Sequence, residues 1–186
     1  MRPAARVSPD STLVVGMSRA AEIRGAVVEL LQPLLAVEGL VLVECTVALD
    51  RGGLRLDLAV DRDDSPADGV HGLTVGEYSR LTRYLENLLG AEMPELGGFR
   101  LTVGSPGVTR RLESELELEW GVGKRVEVRV KRRGGKLLGR LVGFDGQSVT
   151  VEVPEDGLRR VERNEIAGLR LYFPFPGAEG KRRKRR

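Results

Sequence analysis

Two alternating apolar runs meet at a pair of glycines, and that arrangement limits the possible folds more than any other feature of the chain. Val41, Val43, Cys45, Val47 and Leu49 recur at every second position, as do Leu54, Leu56, Leu58 and Val60, with Gly52-Gly53 between them. A period of two puts each set on one face of a strand, and the glycine pair supplies the turn of a hairpin. A sheet with one apolar face has to bury it against another layer. Candidate covers stand on either side. Ser18 is a suitable N-cap, and Ile23, Val27, Leu30, Leu31 and Leu34 follow at helical spacing. Pro33 should kink that helix or end it early, and Gly39 should stop it. Thr74 can cap a second helix in which Tyr78, Leu81, Leu85 and Leu88 lie together, ended by Gly90. Phe99, Leu101 and Val103 then alternate as a third strand. The expectation for residues 18–108 is an αββαβ domain, a three-stranded sheet covered by two helices. Residues 1–17, with Pro3, Pro9 and no period, read as a flexible leader.

The second half has a different texture. Gly104-Ser105-Pro106-Gly107 closes the first unit: Pro fixes φ and Gly permits a positive one, which makes a defined interdomain turn of Ser105, Pro106 and Gly107. Leu112 to Trp120 alternates Leu with Glu and stays open between a strand and a helical turn. Short alternating segments follow over 125–131, 136–144, 148–153, 158–161 and 169–173, separated by Gly134-Gly135, Asp145-Gly146 and Asp156-Gly157. Five short strands with few helix signals predict a small SH3/Sm-like β-barrel over 109–173, closed so that no sheet edge is left exposed. The fold class is therefore α+β. Residues 174–186 end in Lys181-Arg182-Arg183-Lys184-Arg185-Arg186 and read as a disordered basic tail.

Composition removes several function classes. No run approaches the roughly 18 apolar residues of a membrane span, and the first residues lack the apolar core of a signal peptide. The single cysteine, Cys45, excludes an internal disulfide and sits in an apolar run, as a buried inert thiol would. These features fit a cytoplasmic protein without a membrane partner. His71 is the only histidine and has no second His or Cys at ligand spacing, so no metal site is expected. Asp61, Asp63, Asp64 and Asp68 lack the spacing of a calcium loop and read as a solvated acidic turn. No phosphate-binding glycine loop occurs, and Ser105 has no candidate base. The chain is expected to be no enzyme and to need no cofactor; an unrecognised site in the acidic loop is the remaining enzymatic alternative.

Charge carries the positive signal. Residues 1–119 hold 12 basic and 19 acidic side chains, whereas residues 120–140 hold 8 basic and 1 acidic. The basic set is Lys124, Arg125, Arg129, Lys131, Arg132, Arg133, Lys136 and Arg140, with Glu127 the lone interruption. In a strand, Arg125, Arg129 and Lys131 share the face opposite Val126, Val128 and Val130, which lays a positive stripe along one side of the barrel. Such a stripe suits a polyanion. Aromatic residues are absent from it, so contacts to the backbone of structured RNA fit better than stacking on single-stranded bases.

Glu38 to Val43, Gly72 to Arg80, Leu101 to Leu112, Gly123 to Val126 and Leu138 to Gly146 form an ordered set of five segments, and together they resemble the RimP ribosome-maturation family. Leu101-Thr102-Val103-Gly104-Ser105-Pro106-Gly107-Val108-Thr109-Arg110-Arg111-Leu112 is similar to its strand-SSPGLDRPL signature, with Thr109 and Arg111 where Asp and Pro are usual. Gly72 to Arg80 resembles the opening of its second helix, although Gly76-Glu77 replaces an acidic pair. Glu38 to Val43 resembles the entry to its first strand. Gly123-Lys124-Arg125-Val126, and Leu138-Gly139-Arg140-Leu141 with Gly143-Phe144-Asp145-Gly146, resemble its C-terminal barrel. The resemblance implies a monomeric, non-enzymatic factor that binds the immature small ribosomal subunit through ribosomal RNA and a ribosomal protein, protein twelve of that subunit, and promotes late assembly. The alternative from the residues alone is a free-standing Sm-like RNA-binding regulator.

Overall fold

The computed structural model describes residues 9–50, 52–64, 72–131 and 135–173. It is an α+β protein with three helices and two sheets, in the order α1 (Pro9–Val37), β1 (Leu40–Asp50), β2 (Gly53–Arg62), α2 (Val75–Glu92), β3 (Phe99–Gly104), α3 (Glu115–Gly121), β4 (Arg125–Val130), β5 (Lys136–Phe144), β6 (Ser148–Val153), β7 (Gly157–Glu162) and β8 (Ile166–Leu171). The chain divides into two compact units, with the change falling between Ser105 and Pro106, a few residues before the boundary expected at 108.

In the first unit the sheet order is β1-β2-β3. β2 and β3 run parallel, Leu56 opposite Leu101 and Leu58 opposite Val103, with α2 forming the connection that a parallel pair requires. Val27, Leu31 and Leu35 of α1 and Leu85 and Leu89 of α2 close over Leu54, Leu56, Leu58 and Val60. Thr74 caps α2 as its sequence suggests. Its hydroxyl accepts from the Glu77 amide at 3.3 Å, and the Glu77 carboxylate accepts from the Thr74 amide at 2.7 Å.

Four local expectations are corrected. α1 begins at Pro9, not at Ser18, so residues 9–17 of the expected leader are helix, while residues 1–8 lie outside the described residues; proline suits a first helical position because its fixed φ and missing N–H cost nothing there. Pro33 does not end α1, which runs to Val37 and seats Leu35 in the core; Gly39, at φ 65°, supplies the stop. α2 passes Gly90, because Met93 is buried and its amide bonds the Leu89 carbonyl at 2.9 Å. In β1 the core takes Leu40 and Leu42 and then Cys45 and Val47, a change from even to odd positions that strict alternation does not foresee. Cys45 is buried as expected, and burial pushes its thiol up to about 11.

In the second unit the sheet order is β7-β6-β5-β4-β8, with antiparallel pairs throughout. Val126, Val128, Leu141, Val149, Val151, Val161, Leu169 and Leu171 form its buried side. The expected barrel closure is not found: among the described residues β7 and β8 do not pair. The outer edge of β8 is already occupied, since the Leu112 amide bonds Leu169 and the Leu171 amide bonds Arg110, at 3.0 and 2.9 Å. β8 also starts at Ile166, ahead of the expected 169, and ends at Leu171. The ambiguous Leu112–Trp120 stretch resolves to α3. Ser114 and Glu117 make a second capping box, and Arg110 Nε donates to the Glu117 carboxylate at 2.7 Å. Burial pushes the Glu117 carboxyl up, but the Ser114 and Glu113 amides and Arg110 outweigh it and hold the carboxyl below its usual range. The segment 174–186, expected as a basic tail, lies outside the described residues.

Gly139 has no room for a side chain, because a Cβ there would run into the Glu152 carbonyl and Val151 on the neighbouring strand. Gly143, on the same strand, has nothing within 4 Å of a built Cβ. Gly139→Ala should therefore cost about 1–3 kcal/mol of stability, whereas Gly143→Ala should change it by less than about 1 kcal/mol. Thermal or urea unfolding of the two variants checks this; equal loss at both positions would refute the packing of β5 on β6.

Candidate nucleic-acid interface

β4 alternates as its sequence requires. Val126 and Val128 point into the core, and Arg125, Glu127 and Arg129 belong to the other face. Pairing brings in residues distant along the chain. Arg125 stands opposite Arg140, and Arg129 opposite Lys136, on β5; Glu127 stands opposite Arg170 on β8. The face thus gathers Arg125, Arg129, Lys136, Arg140 and Arg170, with the carboxylate of Glu127 among them.

That carboxylate organises the centre. Arg129 Nε and Arg170 Nη2 lie 2.9 Å from Glu127 Oε1, and Lys136 Nζ lies 3.3 Å from Oε2. The Glu127 side chain is 5% exposed while its three partners are 42 to 55% exposed, so the cations roof the acid and keep their outer sides in solvent. Burial pushes the Glu127 carboxyl up, but hydrogen bonds from Arg129, Arg170 and Lys136 outweigh it and hold the group down at about 2. Three positive charges against one leave a net positive surface even where the ion pairs form.

The remaining expected site residues are placed differently from one another. Arg125 and Arg140 lie on the face; Arg140 Nη1 donates to the Gly123 carbonyl at 3.2 Å, and the Arg125 guanidinium sits 5.7 Å from the Tyr172 ring centroid. Lys131 is exposed but falls past the end of β4, where the register shifts after Arg129, and its Nζ donates to the Asn164 carbonyl at 2.7 Å. It does not continue the line of Arg125 and Arg129. Lys124 leaves the set: it is buried, its Nζ 4.9 Å from the Trp120 ring centroid, because it precedes the strand and packs back on α3. Arg132 and Arg133 lie outside the described residues. In the interdomain turn, Gly107 has φ 79° and Pro106 is buried, while Ser105 hydrogen-bonds Tyr78, whose hydroxyl donates to the Val60 carbonyl at 2.8 Å.

Sequence reasoning missed two members. Arg170 reaches the face only through the β4–β8 pairing, and Tyr172 follows it there, its amide bonded to the Arg125 carbonyl at 2.8 Å. The outward place of Arg170 between Leu169 and Leu171 was the available signal. Among the described residues no group of three or more His, Cys, Asp or Glu could hold a metal ion, and no helix is long and apolar enough to cross a membrane. His71 and Asp68 lie outside those residues. No family model matches the chain.

Glu127 has a signed pH signature. Its carboxyl is about 2 in the fold against 4.5 unperturbed, so its stabilisation is complete above about 4.5 and is lost as pH falls from there towards 2. Glu127→Gln should cost about 1–3 kcal/mol at pH 7 and about nothing near pH 2, measured by urea unfolding at both. A difference that persists at pH 2 would show that the ion cluster is not its source.

Proposed function

We propose that this protein is a non-enzymatic RNA-binding factor that acts on the maturing small ribosomal subunit. The observation that carries the reading is the face of β4, β5 and β8, where Arg129, Lys136 and Arg170 cover one buried carboxylate and Arg125 and Arg140 lie beside them. Basic side chains with exposed flanks favour the phosphate backbone of a large polyanion, bound by charge and counterion release. The resemblance of five ordered segments to the RimP family supplies the particular polyanion. On that reading the second unit is an SH3/Sm-like sheet with the Arg110–Leu112 segment along the edge of β8, and its partners are ribosomal RNA and protein twelve of the small subunit.

The mechanism follows from differential binding. A factor that holds one conformation of the assembling subunit more tightly than the finished one shifts the population towards it and leaves when the tight site disappears. The chain contributes affinity through charge, without covalent chemistry, and works as a monomer in the cytoplasm. The groove beside Tyr172 favours a second reading, a free-standing RNA-binding regulator.

Sedimentation of the tagged protein with cell extract at low magnesium separates the two. Co-migration with free small subunits, and not with whole ribosomes, supports the assembly role. Migration only at the top of the gradient, at low salt too, would sink it and favour the regulator. The triple variant Arg125→Ala, Arg129→Ala, Arg140→Ala, all on the face, should weaken subunit binding and lower the salt-dependence slope by about 2–3. Unchanged affinity and slope would remove the basic face from the mechanism.

A further inference from the structure

The face contains two pairs of like charges directly opposed across β4 and β5, and they are treated differently. Arg129 and Lys136 share Glu127. Arg125 and Arg140 share no acid: one lies by the Tyr172 ring and the other on the Gly123 carbonyl, both neutral partners. Glu152 stands opposite Arg140 on β6, yet no ion pair joins them among the described residues. Like charges opposed across a sheet are unfavourable unless an anion lies between them. That pair opens onto a groove also lined by Tyr172, Pro154 and two carboxylates, Glu152 and Glu155.

We infer that this groove holds one unpaired nucleotide of an RNA strand, its phosphate on Arg125 and Arg140 and its base against Tyr172. The inference rests on the RNA-binding reading and adds a base-stacking site to it. A phosphate answers the opposed arginines with the anion they lack. An aromatic ring beside them offers a stacking platform, which a base can use only when it has left its own helix. The carboxylate of Glu152 repels a second phosphate but accepts hydrogen bonds from an exocyclic amine of a base. Arginines and glutamate in one groove therefore fit a nucleotide, charged at one end and amine-bearing at the other, better than a uniform phosphate track. They also fit it better than an acidic peptide, for which Glu152 is a repulsive neighbour.

The test is fluorescence anisotropy of the full chain with two labelled RNA hairpins, identical except for a single bulged adenosine. The bulged hairpin should bind about 10-fold tighter. Tyr172→Leu should bring it to the affinity of the paired hairpin, while Tyr172→Phe, which keeps the ring, and Tyr84→Leu, an exposed aromatic of the first unit, should retain the preference. Equal binding of both hairpins by the unaltered protein overturns this inference and leaves the RNA-binding reading standing. Binding of neither hairpin at low salt overturns both. A polyglutamate peptide that displaces the bulged hairpin more effectively than unlabelled bulged RNA would assign the groove to a protein partner and overturn the nucleotide site.

Discussion

The second unit is held in register by a buried carboxylate. Glu127 sits at the middle of β4 and accepts from Arg129 on its own strand, Lys136 on β5 and Arg170 on β8. A lone carboxylate in that position would be costly; with three cationic donors it is satisfied and stays ionised. A one-residue slip of β5 or β8 would carry Lys136 or Arg170 to the core side and leave the acid unpartnered. The cluster therefore specifies how three strands from separate parts of the chain are aligned. The same cations make the outer surface positive, so the residues that fix the sheet also form the candidate binding face.

This coupling explains which parts of the molecule could be read in advance. Elements governed by local periodicity were legible: the hairpin at Gly52-Gly53, the α2 stripe with its Thr74 cap, and the inward valines of β4. Boundaries set by burial were not. Leu35 and Met93 extend their helices past Pro33 and Gly90, because a core contact outweighs a local stop signal. The Leu112–Trp120 stretch was decidable from Ser114 and Glu117, a capping-box pair at the right spacing, and the Leu/Glu alternation concealed it.

For the candidate site the division is sharper. Arg125, Arg129, Lys136 and Arg140 were found because two adjacent strands present them within one short stretch. Lys124 was included wrongly, since a linear charge run does not show where a strand begins, and one residue decides whether a side chain meets Trp120 or solvent. Arg170 and Tyr172 were missed because β8 joins β4 across a long sequence separation. Barrel closure failed as an expectation for a related reason: the Arg110–Leu112 segment claims the edge of β8, and no pattern inside the strands announces it.

The charge asymmetry along the chain then takes on a structural sense. A basic stretch alone implies a uniform attraction for phosphate, yet the face is not uniform. At one end Glu127 lies under Arg129, Lys136 and Arg170, which limits how closely a phosphate can approach without meeting its negative charge. At the other end, among the described residues, Arg125 lies by the Tyr172 ring and Arg140 on the Gly123 carbonyl, and they share their groove with that ring and with Glu152 and Glu155. Attraction over the whole face falls off within about 10 Å at moderate salt and serves to bring a polyanion close. On the proposed RNA-binding reading, contact at the Arg125–Arg140 pair is short-ranged and geometric, and it is there that one part of a nucleic acid would be distinguished from another.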